Sequence, residues 1–197
     1  MRHHARALLL PLMAAAIGCH ASMTVGRGKA TDDAAVTTVI LVRHAEKASM
    51  STADPVLSDA GIARARALDA TLHDAGVNAV IVTQYQRTRL TAAPLLQRLS
   101  LAPEVVMNNG TAAIHVKAVT DAIRAHAGQT MLVVGHSNTV PAIIAALGGP
   151  TFAPLCEPEY SHLYILTLAA GKPTRLVQAT YGAGDAPDAA DCRLGKM

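Results

Sequence analysis

There is no tryptophan in this sequence and a single phenylalanine, Phe152; aromatic residues make up 3% of its 197 positions. A chain so poor in rings offers few platforms for stacking bases or sugars. Its core must come from Ala, Val, Leu and Ile, within a hydrophobic share of 51%. Runs of one charge are also missing: the formal net charge is +3 and Lys and Arg are scattered, so no basic stripe marks a nucleic-acid partner. No Gly-x-x-x-x-Gly-Lys loop cradles a nucleotide phosphate, and no Asp-x-Asp pair is placed for a divalent metal. Cysteine is scarce, with Cys19, Cys156 and Cys192 alone. The length suits one domain with a real core plus an appendage.

The appendage is at the amino terminus. Met1-Arg2-His3-His4-Ala5-Arg6 is a basic head, and Ala7 to Ile17 is an apolar run too short for a stable membrane span. Residues 1–19 therefore read as a secretory signal. Its end, Ala16-Ile17-Gly18-Cys19, has the form of a bacterial lipobox, which would leave a lipid anchor on Cys19; the alternative is cleavage after Ala21. Either way the product is exported, to the bacterial periplasm or to a membrane-anchored position. Loss of Arg2 and Arg6 leaves 15 basic against 14 acidic residues, so the mature chain is nearly neutral. Residues 20–35 are small and polar without periodicity, the composition of a flexible tether. In an oxidising envelope Cys156 and Cys192 are candidates for a disulfide, with two free thiols as the alternative.

From residue 36 the pattern alternates. Val36 to Val42 is an apolar, β-branched strand. Ser58 then caps a helix with Ile62, Ala65, Leu68 and Leu72 on one face, and Gly76 follows as a stop. Further strands are expected at 79–82, 104–107 and 130–134, with helices at 88–99, 114–127 and 139–147. This α/β alternation predicts a three-layer α/β/α sandwich around a mostly parallel sheet. Two last strands, 162–168 and 174–180, form a C-terminal hairpin through Ala169-Ala170-Gly171-Lys172-Pro173. The residues from Gly182 onward read as loosely held.

Three strands run into cationic or imidazole side chains at their carboxyl ends, where ligands bind in open α/β sheets. The first ends in Arg43-His44, the second leads to Arg87, and the third runs through Gly135 into His136. Two guanidinium groups and two imidazoles suit the holding and attack of a phosphate. His44 is nucleophilic in its neutral form, and guanidinium forks at Arg43 and Arg87 can bind phosphoryl oxygens bidentately. Protein cations then neutralise the phosphate, and neither a metal nor another cofactor is called for.

Arg43-His44-Ala45-Glu46-Lys47, Leu57-Ser58-Asp59-Ala60-Gly61, Arg87-Thr88-Arg89-Leu90-Thr91-Ala92 and Val134-Gly135-His136-Ser137-Asn138-Thr139 together resemble, in order, the motifs of the histidine phosphatase superfamily, the phosphoglycerate-mutase-like fold. The resemblance spans 36–181 and makes 36–197 the expected domain. It implies a phosphohydrolase of the phosphomonoesterase type, with His44 as nucleophile through a phosphohistidine intermediate. Arg43, Arg87 and His136 would be catalytic and substrate-binding residues, with Arg89 left at the surface. The substrate would be a phosphorylated small molecule, glycan or peptide. The alternatives are a non-catalytic phosphate-binding lipoprotein and, less compatible with so short a chain, a sugar-phosphate mutase. Two departures stand out: Ala45 replaces the usual glycine after the nucleophile, and Ser137 and Asn108-Asn109 stand where the family carries its proton donor. The donor is thus unassigned, with Glu46, Glu157 and Glu159 as candidates.

Overall fold

The computed structural model describes residues 35–49 and 51–185. The expected signal, the tether up to residue 34, Cys19 and Cys192 lie outside the described residues. The elements are β1 (Thr37–Arg43), α1 (Asp59–Thr71), β2 (Ala79–Val82), α2 (Gln86–Leu99), β3 (Glu104–Val105), α3 (Ala112–Ala125), β4 (Thr130–Gly135), α4 (Thr139–Ala146), β5 (His162–Leu168) and β6 (Arg175–Thr180). They form one six-stranded sheet in the order β3-β2-β4-β1-β5-β6. The first four strands in that order are mutually parallel, whereas β5 runs antiparallel to β1 and β6 antiparallel to β5.

β1 reads as a nearly continuous apolar run because both of its faces are covered. Val39 and Leu41 pack with Val119, Ile123, Ile143 and Ile144 of α3 and α4. Ile40 and Val42, pointing the other way, pack with Leu68 of α1 and Leu95 of α2. These are the three expected layers. Burying each such aliphatic side chain contributes about 1.5–3 kcal/mol, and the few rings are not missed.

Three local expectations are corrected. Ile62 does not face the core but is 42% exposed; the inner face of α1 is Gly61, Arg64, Ala65 and Leu68. The helix sits so close to the chain after β1 that a Cβ on Gly61 would lie 2.3 Å from the Glu46 carbonyl oxygen. Arg64 is buried because its donors have acceptors: Nε and Nη2 reach the Glu46 carboxylate, and Nη1 donates to the carbonyls of Tyr181 and Ala183. Second, β3 spans two residues rather than 104–107. Val106 still donates to the Val82 carbonyl, but the chain then turns so that Asn108 and Gln84 exchange two hydrogen bonds. Third, residues 182–185 are not loose. Besides the Arg64 bond to Ala183, Asp185 accepts from the Tyr160 and Ser161 amides and the Ser161 hydroxyl.

Candidate active site

The carboxyl ends of β1, β2 and β4 lie side by side, since β4 pairs in parallel with both of the others. This alone gathers His44, Thr83 and His136. β5 runs the opposite way, with Leu163 opposite Val42, so the segment that enters it, Cys156 to Ser161, arrives at the same end of the sheet. A candidate site made from three strand exits thus gains a fourth wall that the strand-end pattern did not reveal.

His44 is buried, and its amide donates to the Gly135 carbonyl, extending the β1–β4 ladder by one step. Its Nδ1 lies 2.8 Å from the Ala45 carbonyl oxygen, which accepts only if Nδ1 carries the proton. The ring is then the tautomer with a bare lone pair on Nε2. Burial, the largest effect, brings the His44 pKa down to about 3; the Ala45 bond, next in size, opposes it, and the cations of Arg43, Arg87 and Lys47 lower it further. The ring is neutral at ordinary pH without a neighbouring base. Ala45 is fully buried, its amide donates to Thr91 Oγ1 at 2.9 Å, and its φ is not in the left-handed region. The missing glycine therefore costs the backbone no strain here.

Arg43 is 2% exposed. Its Nη1 donates to three backbone carbonyls, of Cys156 at 2.7 Å, Glu157 at 2.9 Å and Glu159 at 3.2 Å. The guanidinium lies 4.1 Å over the Tyr160 ring. Nη2 reaches the Glu157 carboxylate at 2.8 Å, and Nε, though buried, has no hydrogen-bond partner among the described residues. Arg87 lies 4.1 Å over the Tyr85 ring and 3.7 Å from Asp54, whose carboxylate also accepts from the Gln86 amide at the start of α2. Burial lowers the Arg87 pKa, with Asp54 opposing. Arg89 is exposed, so of the two arginines on this turn Arg87 is the one turned inward.

His136 is buried 5.5 Å from His44, ring to ring, and burial followed by the charge of His44 lowers its pKa to about 3. Its Nε2 is 3.2 Å from Thr83 Oγ1, which is 2.9 Å from Thr88 Oγ1, which donates to the Tyr85 carbonyl. With the Thr88 proton on that carbonyl, the Thr83 proton goes to Thr88 and His136 Nε2–H donates to Thr83. The two threonines thereby set the His136 tautomer.

The three carboxylates considered as proton donors are all engaged. Glu46 chelates Arg64. Glu159 is buried, accepts from the Cys156 amide at 2.7 Å and lies 3.6 Å from His162. Glu157 bridges Arg43 and Lys47; partial burial is the largest single effect on its pKa and raises it, but the hydrogen bonds and charges of the two cations together outweigh it and lower the pKa. Lys47, Thr83, Thr88 and Tyr160 were not singled out from sequence. Thr83 had a usable signal as the residue leaving β2, whereas Tyr160 depended on knowing the direction of β5.

The model of the histidine phosphatase superfamily (branch 1) matches residues 39–108, from β1 past β3, and includes His44 and Arg87. A search of curated proteins gave no match. Among solved structures, the protein histidine phosphatase SixA, complexed with tungstate, is 20% identical with a TM-score of 0.58, over 73% of this chain and 96% of its own. The mycobacterial glucosyl-3-phosphoglycerate phosphatase is 15% identical with a TM-score of 0.59, over 76% of this chain and all of its own. A phosphoserine phosphatase from Entamoeba histolytica is 12% identical with a TM-score of 0.56, over 75% and 97%. At these identities the likeness is one of fold, and its coverage of about three quarters of this chain extends beyond the segment that the family model matches. Motif order, sheet order and the family match over residues 39–108 agree in likening this chain to the histidine phosphatase superfamily.

Proposed function

We propose that this chain is a metal-independent phosphohydrolase that works through a phosphohistidine on His44. One observation carries the reading: a neutral His44 whose Nδ1 proton is committed to the Ala45 carbonyl, with its free Nε2 lone pair set among the cations Arg43, Arg87 and Lys47. Nε2 attacks phosphorus as the bond to the leaving group breaks. Water then attacks the phosphohistidine, releases phosphate and returns the neutral ring. Arg43 and Arg87 hold the equatorial oxygens through both steps. A phosphate dianion beside His136 favours the imidazolium, whose second N–H becomes a donor to the transferring group while Thr83 keeps the first.

The commitment of Glu46, Glu157 and Glu159 to internal partners supports a substrate whose leaving group departs without a carboxylic acid, such as a phosphohistidine or an anhydride, over an alkyl phosphate. The same observation favours the second reading, a non-catalytic lipoprotein that holds a phosphorylated ligand. Hydrolysis of phosphohistidine, p-nitrophenyl phosphate and an alkyl phosphate, with and without EDTA, tests both. The hydrolase reading expects turnover of the first two, slow turnover of the third and no effect of EDTA. Alkyl phosphate hydrolysed equally fast would reveal an acid, loss of rate with EDTA would overturn metal independence, and phosphate binding without turnover would establish the second reading.

Export and tethering complete the proposal: the enzyme acts in the envelope, anchored by lipid on Cys19, with Cys156 bridged to Cys192. Thiol counting on the denatured exported protein should find neither cysteine of that pair free. Release of the mature chain without detergent would reject the anchor.

A further inference from the structure

The Glu157 carboxylate lies where a substrate anion is needed. A guanidinium presents two edges; on Arg43, Nη1 is saturated by three carbonyls, while Nε and Nη2 form the remaining side-on pair of donors. Nε is buried without a hydrogen-bond partner among the described residues, and Nη2 holds Glu157 Oε2 at 2.8 Å. The other oxygen, Oε1, lies 3.0 Å from Lys47 Nζ and 3.4 Å from the Tyr160 hydroxyl. Lys47 is itself only 16% exposed. Arg43, Lys47 and Tyr160 thus make an anion subsite beside His44, and the anion in it belongs to the chain.

This carboxylate is not needed to position Arg43. The three carbonyl bonds and the Tyr160 ring already do so, and the Glu157 backbone carbonyl is one of those acceptors whatever its side chain does. The Glu157 side chain is 53% exposed, so it can leave for water at little cost. Arg43 Nε cannot, and an oxyanion with two or more oxygens satisfies Nε and Nη2 together as a single carboxylate oxygen on Nη2 does not.

We infer that Glu157 is a tethered competitor for the phosphate subsite and that Lys47, released when substrate displaces the carboxylate, becomes a third cationic ligand of the bound phosphoryl group. The inference rests on the phosphohydrolase reading above. Glu157 then sets a threshold: a monoanion or carboxylate competes poorly with it, whereas a phosphate dianion that fills the whole edge of Arg43 displaces it.

Calorimetric titration of inorganic phosphate into wild type, E157Q, K47A and the double variant tests this, with thermal melts to confirm folding. A partly exposed carboxylate on two cations is worth a factor of up to about five, so E157Q should bind phosphate about three- to fivefold more tightly. Removing a negative charge alone would also tighten binding, and Lys47 separates the two causes. In wild type, K47A removes a phosphate ligand but also frees its competitor, so the net effect is small; in the E157Q background it removes a ligand only, and affinity should fall about fivefold. Equal or weaker binding by E157Q, or strictly additive effects of the two substitutions, would overturn the inference while leaving the phosphatase reading intact. No phosphate binding by either protein would overturn both.

Discussion

His44→Gln keeps a polar side chain of similar length and removes the titration. In the folded chain burial holds the pKa of this imidazole at about 3, whereas in the unfolded chain it titrates near the ordinary histidine value of 6.5. Above pH 6.5 neither state binds the proton and His44 adds no pH dependence. As pH falls from 6.5 toward 3 the unfolded chain takes up a proton that the folded chain refuses, so stability is lost in that window at about 1.4 kcal/mol per pH unit. By pH 5 the loss from His44 has reached about 2 kcal/mol relative to pH 8. The glutamine variant lacks this share. Urea unfolding at pH 8, 7, 6 and 5 should show wild type losing about 2 kcal/mol more than His44→Gln between the extremes. Parallel curves for the two proteins would refute the claim that His44 is buried and neutral.

Arg87→Ala should reduce kcat/KM by the equivalent of about 2–4 kcal/mol, and Arg89→Ala, at an exposed position, should change it little; the reverse order would overturn the assignment of the inward arginine. Arg43→Ala should lose activity and stability together, because the Cys156, Glu157 and Glu159 carbonyls lose a common donor, and a melt that stays at the wild-type temperature would contradict the anchoring of that segment. Gly61→Ala forces a Cβ onto the Glu46 carbonyl and should destabilise by about 2–3 kcal/mol with lowered activity, since the chain from His44 to Lys47 must move; a neutral result in chemical denaturation would refute the close approach.

The alternation of strands and helices was legible because β1, β2 and β4 are covered on both faces, and their apolar runs stand out between turn signals. The strand ends likewise indicated His44, Arg43, Arg87 and His136, and parallel pairing brings those ends together. The inner face of α1 was misread because hydrophobicity favours Ile62, whereas a bidentate carboxylate and two carbonyls make Arg64 the buried residue. Glu157 and Tyr160 could not be placed from sequence, because their approach depends on β5 returning antiparallel beside β1. Nor could the Thr83–Thr88 relay be read from two hydroxyls five residues apart, since it needs the turn between β2 and α2 to fold them face to face.

The covalent intermediate is the most direct consequence of His44 as nucleophile. Rapid acid-free quenching during turnover of a ³²P-labelled phosphohistidine or aryl phosphate, followed by peptide mapping, should place an acid-labile, base-stable phosphoryl group on His44. The label should be absent from His44→Ala, which should also lack turnover. Full turnover by that variant, or a phosphoryl group on any other residue of the wild-type chain, would contradict the assignment of His44 as the nucleophile.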